Sequence, residues 1–113
     1  MGCLFCNVLE KKVPADVVYE DEHALAFKDI RPVAPTHVLV IPKKHIAAIH
    51  DLTDADATTI GQVMIAAKKV AEQLGIHANG FRLVVNDGDE AGQTVHHIHV
   101  HVLGGRTMTW PPG

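Results

Sequence analysis

The amino-acid sequence predicts an α+β fold, a mostly antiparallel five-stranded sheet packed against one long helix. Three observations predict it. Short β-branched and aromatic runs recur along the chain, separated by turn residues rather than by crossover-length helical segments. Residues 53–74 carry a sustained helical apolar period. Residues 95–103 alternate histidine with Ile, Val or Leu, the period of a strand with two unlike faces.

Val17-Val18-Tyr19 and residues 23–28 read as two strands, and the acidic turn Glu20-Asp21-Glu22 between them makes a hairpin. Residues 29–36 hold two prolines and read as a loop. Residues 37–41 form a strand closed by Pro42, with His37, Leu39 and Ile41 on one face. In the helix, Ile60, Val63, Met64, Ala67, Val70, Ala71 and Leu74 make the apolar stripe. Thr53 and Asp56 suit a capping box, and Gly75 suits the stop. Residues 81–85 read as a strand, 86–94 as a Gly-rich turn, and 95–103 as the last long strand. Gly104-Gly105 then opens a tail that carries Trp110-Pro111-Pro112.

The 113 residues, one domain's worth, carry a formal charge of −3, with 47% hydrophobic and 20% charged residues. A chain of this mass buries about 65% of its extended surface. Disordered and collagen-like classes are excluded. The slightly acidic balance argues against a nucleic-acid surface. No apolar run reaches the roughly 20 residues of a membrane span. The N-terminal Met1-Gly2-Cys3-Leu4-Phe5-Cys6 has neither the basic start nor the apolar stretch of a signal peptide, and Cys6 stands where a myristoylation signal wants Ser or Thr. Two cysteines make no disulfide framework, so a cytoplasmic location is expected.

Histidine is the anomaly. There are nine, four of them within residues 96–101. On a strand, His97, His99 and His101 share one face at roughly 7 Å spacing, while Ile98, Val100 and Val102 point to the helix. Three readings compete: a solvated polar face, a metal trio, and a nucleophilic histidine with supporting groups. Thr, Lys or Glu would solvate a face equally well, and i, i+2, i+4 spacing spreads the rings too far for an easy zinc site. The nucleophile reading is preferred.

The run His97-Ile98-His99-Val100-His101-Val102-Leu103 matches the histidine-triad signature. The chain resembles the histidine-triad (HIT) nucleotide-binding proteins of the Hint branch almost end to end. Supporting segments are residues 3–6, 26–30, 35–45 and 85–88, and the tail from Gly104 to Gly113. The resemblance implies a single HIT domain over residues 1–113 and a homodimer, with residues 104–113 against the partner subunit. It implies hydrolysis of purine nucleoside 5′-phosphoramidates and aminoacyl-adenylates through a nucleotidyl-histidine on His99, with no cofactor needed for the chemistry. His101 is then expected at the phosphate, with His37 positioning the phosphate or protonating the leaving amine. Thr94 and the backbone around Gly92 and Gln93 are expected to add phosphate donors. Asp29 and Asn86 are expected at the ribose, and Leu4, Phe5, Phe27 and Ile30 around the base. Trp110 is expected at the partner's site, since a Trp in a Gly- and Pro-rich tail is hard to bury in its own subunit. Arg31 departs from the Ser or Thr frequent in relatives and places a cation near the ribose or leaving group.

Cys3-x-x-Cys6 alone is a weak signal. A redox motif wants a strand before it, and zinc wants two more ligands. By resemblance to bacterial relatives, Cys3, Cys6, His45 and His97 would hold a structural zinc, with His97 a brace rather than a reactant. Two free thiols packed as small hydrophobes are the competing reading. His23, His50, His77 and His96 are expected on the surface. A dinucleoside polyphosphate hydrolase and a nucleotide- or zinc-dependent regulatory module are the alternative functions.

Overall fold

The computed structural model describes residues 2–113. Its elements are helix α1 (Leu4–Leu9), strands β1 (Val17–Glu20), β2 (Ala24–Lys28) and β3 (Thr36–Pro42), helix α2 (Ala57–Gln73), and strands β4 (Phe81–Val84) and β5 (Val100–Gly104). The sheet order is β1-β2-β3-β5-β4, and every neighbouring pair is antiparallel. No helix among the described residues is long and apolar enough to cross a membrane.

The β1–β2 hairpin is closed by Asp21, whose Oδ1 accepts the backbone N–H of His23 and of Ala24, each at 2.8 Å. A short polar side chain thereby takes over the turn's hydrogen bonding. Alternation along β3 divides the protein into two layers. Val38 and Val40 face α2, where they join Ala24, Ala26, Val63, Ala67, Val70, Val100 and Val102 in one core. Leu39 and Ile41 face the other way, onto Leu25, Phe27, Phe5 and Val8. Most α2 residues at this contact are Ala or Val, so the helix lies close to the sheet.

The ends of α2 follow the local chemistry. Thr53 and Asp56 form the reciprocal capping box across a 3-10 turn at Asp54–Asp56, which takes the first turn of the expected helix. At the other end Gly75 adopts φ +77°, Ile76 N–H reaches Ala71 O and Gly75 N–H reaches Glu72 O. This is the Schellman pattern, which needs a left-handed residue at Gly75's position. The observed stripe is narrower than expected. Val63, Ala66, Ala67, Val70 and Ala71 are buried, whereas Met64 is 43% exposed beside Ile65 at 48%.

Two elements differ from expectation. Residues 4–9 form α1, too short to show a period in sequence, with Cys3 as its N-cap: Cys3 Sγ accepts the Cys6 N–H. The last strand begins at Val100, not at residue 95. The β3–β5 ladder ends at the Val40–Val100 pair. Beyond it lies Pro42, which has no N–H to give, and imidazoles take the carbonyls of Pro42 and His97.

Gly104 closes β5 beneath Ile76. A Cβ there would meet Ile76 Cδ1 at 2.6 Å and Ile76 Cβ at 2.9 Å. Gly104→Ala is expected to destabilise the fold by about 1–3 kcal/mol through overpacking. An unchanged urea midpoint would contradict this.

Candidate active site

Segment 95–99 is irregular backbone tied to the sheet by Ile98 N–H donating to Ile46 O at 2.7 Å. It delivers His97 and His99 next to the strand residue His101. All three rings lie on the α1 side of the sheet. Phe5 stands edge-on to His99 with centroids 5.1 Å apart, and the His99–His101 separation is also 5.1 Å.

The hydrogen bonds decide where each ring proton sits. His99 Nδ1 is 2.8 Å from His97 O. A carbonyl only accepts, so Nδ1 carries the hydrogen and the neutral ring keeps its lone pair at Nε2. His97 Nε2 likewise donates to Pro42 O at 2.9 Å, which leaves the His97 lone pair at Nδ1. The Val33 N–H donates to His37 Nδ1 at 3.1 Å, so His37 carries its hydrogen at Nε2. That N–H faces His101 Nδ1 at 2.9 Å and Asp29 Oδ2 at 3.3 Å. His101 therefore accepts at Nδ1 and presents an Nε2–H. The adjacent rings of His99 and His101 have opposite tautomers, one with a free lone pair at Nε2 and the other with a donor there.

Burial, reinforced by the neighbouring His99 and His37, pushes His101 down to about 4. Burial also lowers His37, against the opposing pull of Asp29. The His37–Asp29 contact is thus a hydrogen bond from a neutral ring rather than an ion pair. Both rings are harder to protonate folded than unfolded, so the unfolded chain binds more protons once pH falls below the ordinary imidazole value of about 6.5. The stability they contribute is full above that pH and is lost as pH falls through it toward about 4. Urea midpoints are expected to drop across this window, and His101→Gln to flatten the drop. A wild-type midpoint that stays level there would contradict the assignment.

Asp29 sits at the rim of an apolar cavity lined by Leu4, Phe5, Phe27 and Ile30, with Val8, Val13 and Leu39 completing the wall. The last three were not among the residues expected around the base. Ile30 is 91% exposed at this mouth. Asp29 Oδ1 accepts the Arg31 N–H at 2.8 Å, and Arg31 is exposed.

Asn86 lies half-buried two residues past the Val84–His101 pair, on the side toward His99. Thr94 is exposed and lines a hollow with Cys3, Leu4 and His45. Gly92 N–H and Gln93 N–H both donate inside their own turn, to Asp89 O and Gly88 O. Neither is free for a phosphate as expected. The buried Gln93 side chain instead braces the turn, accepting from Gly88 N–H and donating to Ala47 O and Val95 O. Trp110 is 80% exposed, with the Arg82 guanidinium 5.9 Å from its ring centroid. It stands at the β4 edge of its own sheet. His50 is exposed, as expected, and pairs with Asp87 through both its ring Nδ1 and its backbone N–H.

Cys3, Cys6, His45 and His97 converge on one point. His97 Nδ1 is 3.3 Å from Cys3 Sγ, 3.6 Å from Cys6 Sγ and 3.2 Å from His45 Nδ1, and Cys6 Sγ is 3.3 Å from His45 Nδ1. Zinc bonds of about 2.3 Å to sulfur and 2.0–2.1 Å to nitrogen put tetrahedral ligand atoms about 3.3–3.8 Å apart. The four donors fit that geometry, and the His97 Nε2–H bond to Pro42 O is the outer contact that orients a ligand ring. Burial and the neighbouring Cys3 push the Cys6 thiol up to about 11, so without a metal Cys6 is a poor redox nucleophile. A coordinated cation deprotonates such thiols outright. A second grouping, Asp29, His37 and His101, also brings its donor atoms together, but the hydrogen-bond chain already accounts for it.

Residues 10–108 match the HIT domain family. An uncharacterised HIT-like protein of Synechocystis sp. is 49% identical over 110 residues, covering 97% of this chain and 96% of the relative. The crystal structure of a HIT family hydrolase from Legionella pneumophila superposes with a TM-score of 0.97 at 54% identity, covering 99% of this chain and 100% of that one. A histidine triad protein from Clostridium difficile gives 0.91 at 38% identity, over 95% and 93% of the two chains. With the family matched over most of its length and the antiparallel sheet and single long helix shared throughout, the chain belongs to the HIT domain family.

Proposed function

We propose that this protein binds purine nucleotides and hydrolyses nucleoside 5′-phosphoramidates and related aminoacyl-adenylates, releasing the nucleoside monophosphate. The observation that carries the reading is the opposed tautomer pair, a lone pair at His99 Nε2 beside a donor at His101 Nε2. His99 Nε2 attacks the α-phosphorus and the P–N bond breaks. The leaving nitrogen departs with the bond's electron pair and takes one proton from solvent water, while the neutral His101 and His37 keep their N–H groups as hydrogen-bond donors. Water then adds to phosphorus, the bond to Nε2 breaks, His99 recovers its electron pair, and the water's proton replaces the one spent. The neutral His101 N–H, with Thr94, meets charge on the phosphoryl oxygens. The base lies among Leu4, Phe5, Phe27 and Ile30, and the ribose at Asp29 and Asn86.

In this reading Cys3, Cys6, His45 and His97 hold a zinc ion whose closed coordination supports structure, and His97 takes no part in the chemistry. The protein works in the cytoplasm as a homodimer, with residues 104–113 and Trp110 against the partner. The exposed Met64 and Ile65 on α2 and the open edge of β4 support that arrangement.

The test compares adenosine 5′-phosphoramidate with diadenosine tetraphosphate as substrates. Faster turnover of the phosphoramidate, with an acid-labile nucleotidyl adduct on His99 in quenched samples, is expected. Preference for the tetraphosphate would favour the dinucleoside polyphosphate hydrolase, and binding without turnover of either would favour a regulatory module.

A further inference from the structure

Three observations converge on the segment that joins the cysteine–histidine cluster to the nucleotide cavity. First, α1 has six residues, too few to hold a helix in water without outside support. Cys3 caps it and Cys6 lies inside it, so two of the four cluster donors belong to this helix. Second, Phe5 stands between those cysteines. It lines the cavity and packs on Phe27 and His99, with centroids 5.4 and 5.1 Å away. Third, His97 has two engagements at once. Its ring faces the cluster through Nδ1, and its backbone carbonyl accepts the His99 Nδ1–H that leaves His99 Nε2 free. The cluster thus grips the cavity wall on one side and the residue that sets the nucleophile's tautomer on the other.

We propose that Cys3, Cys6 and His45 are positioning residues: by ligating zinc together with His97 they seat α1 and hold the His97 carbonyl, so zinc and nucleotide bind with positive linkage. The proposal rests on the reading that the cluster holds zinc. Linkage is reciprocal. If zinc tightens nucleotide binding by some factor, nucleotide tightens zinc binding by the same factor. A cation that only raised global stability would leave the affinity of the folded protein for nucleotide unchanged.

The experiment uses the full chain, zinc-loaded or stripped with a chelator, and AMP as the probe. Calorimetry of AMP binding is expected to show about tenfold weaker affinity in the stripped protein, and zinc competition with and without saturating AMP to show the same factor. Hydrogen exchange is expected to show residues 4–9 losing nearly all protection on stripping, while Val38, Val40 and Val102 lose only what the fall in global stability takes. Nitrogen-15 spectra of the imidazoles are expected to show His99 losing its single Nδ1–H tautomer. His45→Ala, which alters the most exposed ligand, should reproduce these shifts. Stoichiometric zinc with equal AMP affinity in the two forms would overturn the coupling and leave the zinc reading intact. A loss of protection in residues 4–9 no larger than the fall in global stability accounts for would also overturn it, since the metal would then be only a global staple. Failure to bind zinc, or a Cys3→Ser/Cys6→Ser variant with undiminished zinc, would remove the ligand set and the proposal with it.

Discussion

His99→Ala is expected to lower phosphoramidate turnover by about four orders of magnitude or more, the scale on which removal of a covalent nucleophile acts. The alanine leaves the cavity wall and the His37–His101 pair in place. AMP should therefore still bind within a few-fold of wild type, and the loss should fall on kcat. The ring's removal leaves His97 O without its imidazole donor, and it trims the edge contact with Phe5. Some loss of stability is expected for that reason, so the melting temperature must be measured alongside the rate. A variant that is folded, binds AMP and turns over at the wild-type rate would exclude His99 as the nucleophile. His101→Gln provides a contrast. It keeps a donor near the phosphoryl oxygens but breaks the link to His37 Nε2, so a smaller loss of about 10²–10³-fold is expected.

Stripping the cluster with a strong chelator is expected to have the largest effect on stability. An ion held at a thousand times its dissociation constant contributes about 4 kcal/mol to the folded state. For a domain of this size that corresponds to a fall in melting temperature on the order of 15 °C. Scanning calorimetry before and after dialysis against chelator, with zinc restored in a third sample, reads this directly. A melting temperature that does not respond to chelation or to zinc would show that the two thiols pack only as small apolar groups.

The hairpin, the long helix and the division of β3 into two faces were legible in the sequence because each has a period or a turn residue that acts locally. The capping box at Thr53 and the left-handed stop at Gly75 are of the same kind. Helix α1 was not legible. Six residues span too little to display a helical period, and its cap is a cysteine rather than Ser, Thr, Asp or Asn. The early part of the last strand was misjudged for a different reason. Alternation in residues 95–99 is genuine, but Pro42 on the neighbouring strand ends the ladder, and imidazoles occupy carbonyls there. That competition is tertiary and invisible to any window of sequence.

The site divides along the same line. The histidine pattern and the CxxC spacing, read with the family resemblance, named residues that the fold brings together in two clusters. The tautomers depended on Val33 N–H, His97 O and Pro42 O, which are backbone groups that carry no sequence signal. The amides of Gly92 and Gln93, expected as phosphate donors, here close their own turn, a use of Gly-rich N–H groups that carries no separate sequence signal. Gln93 was read for its backbone, yet its buried side chain is what braces that turn.

The strand order β1-β2-β3-β5-β4 has a consequence for timing. During synthesis β3 and β4 emerge with no ladder between them, because the strand that joins them is made last. His99 and His101 leave the ribosome after every other wall of the cavity has been built. A chain truncated before His99 would leave β3 without its β5 neighbour and carry neither ring. Under the proposed mechanism the nascent protein therefore lacks its nucleophile until β5 and the segment before it are in place.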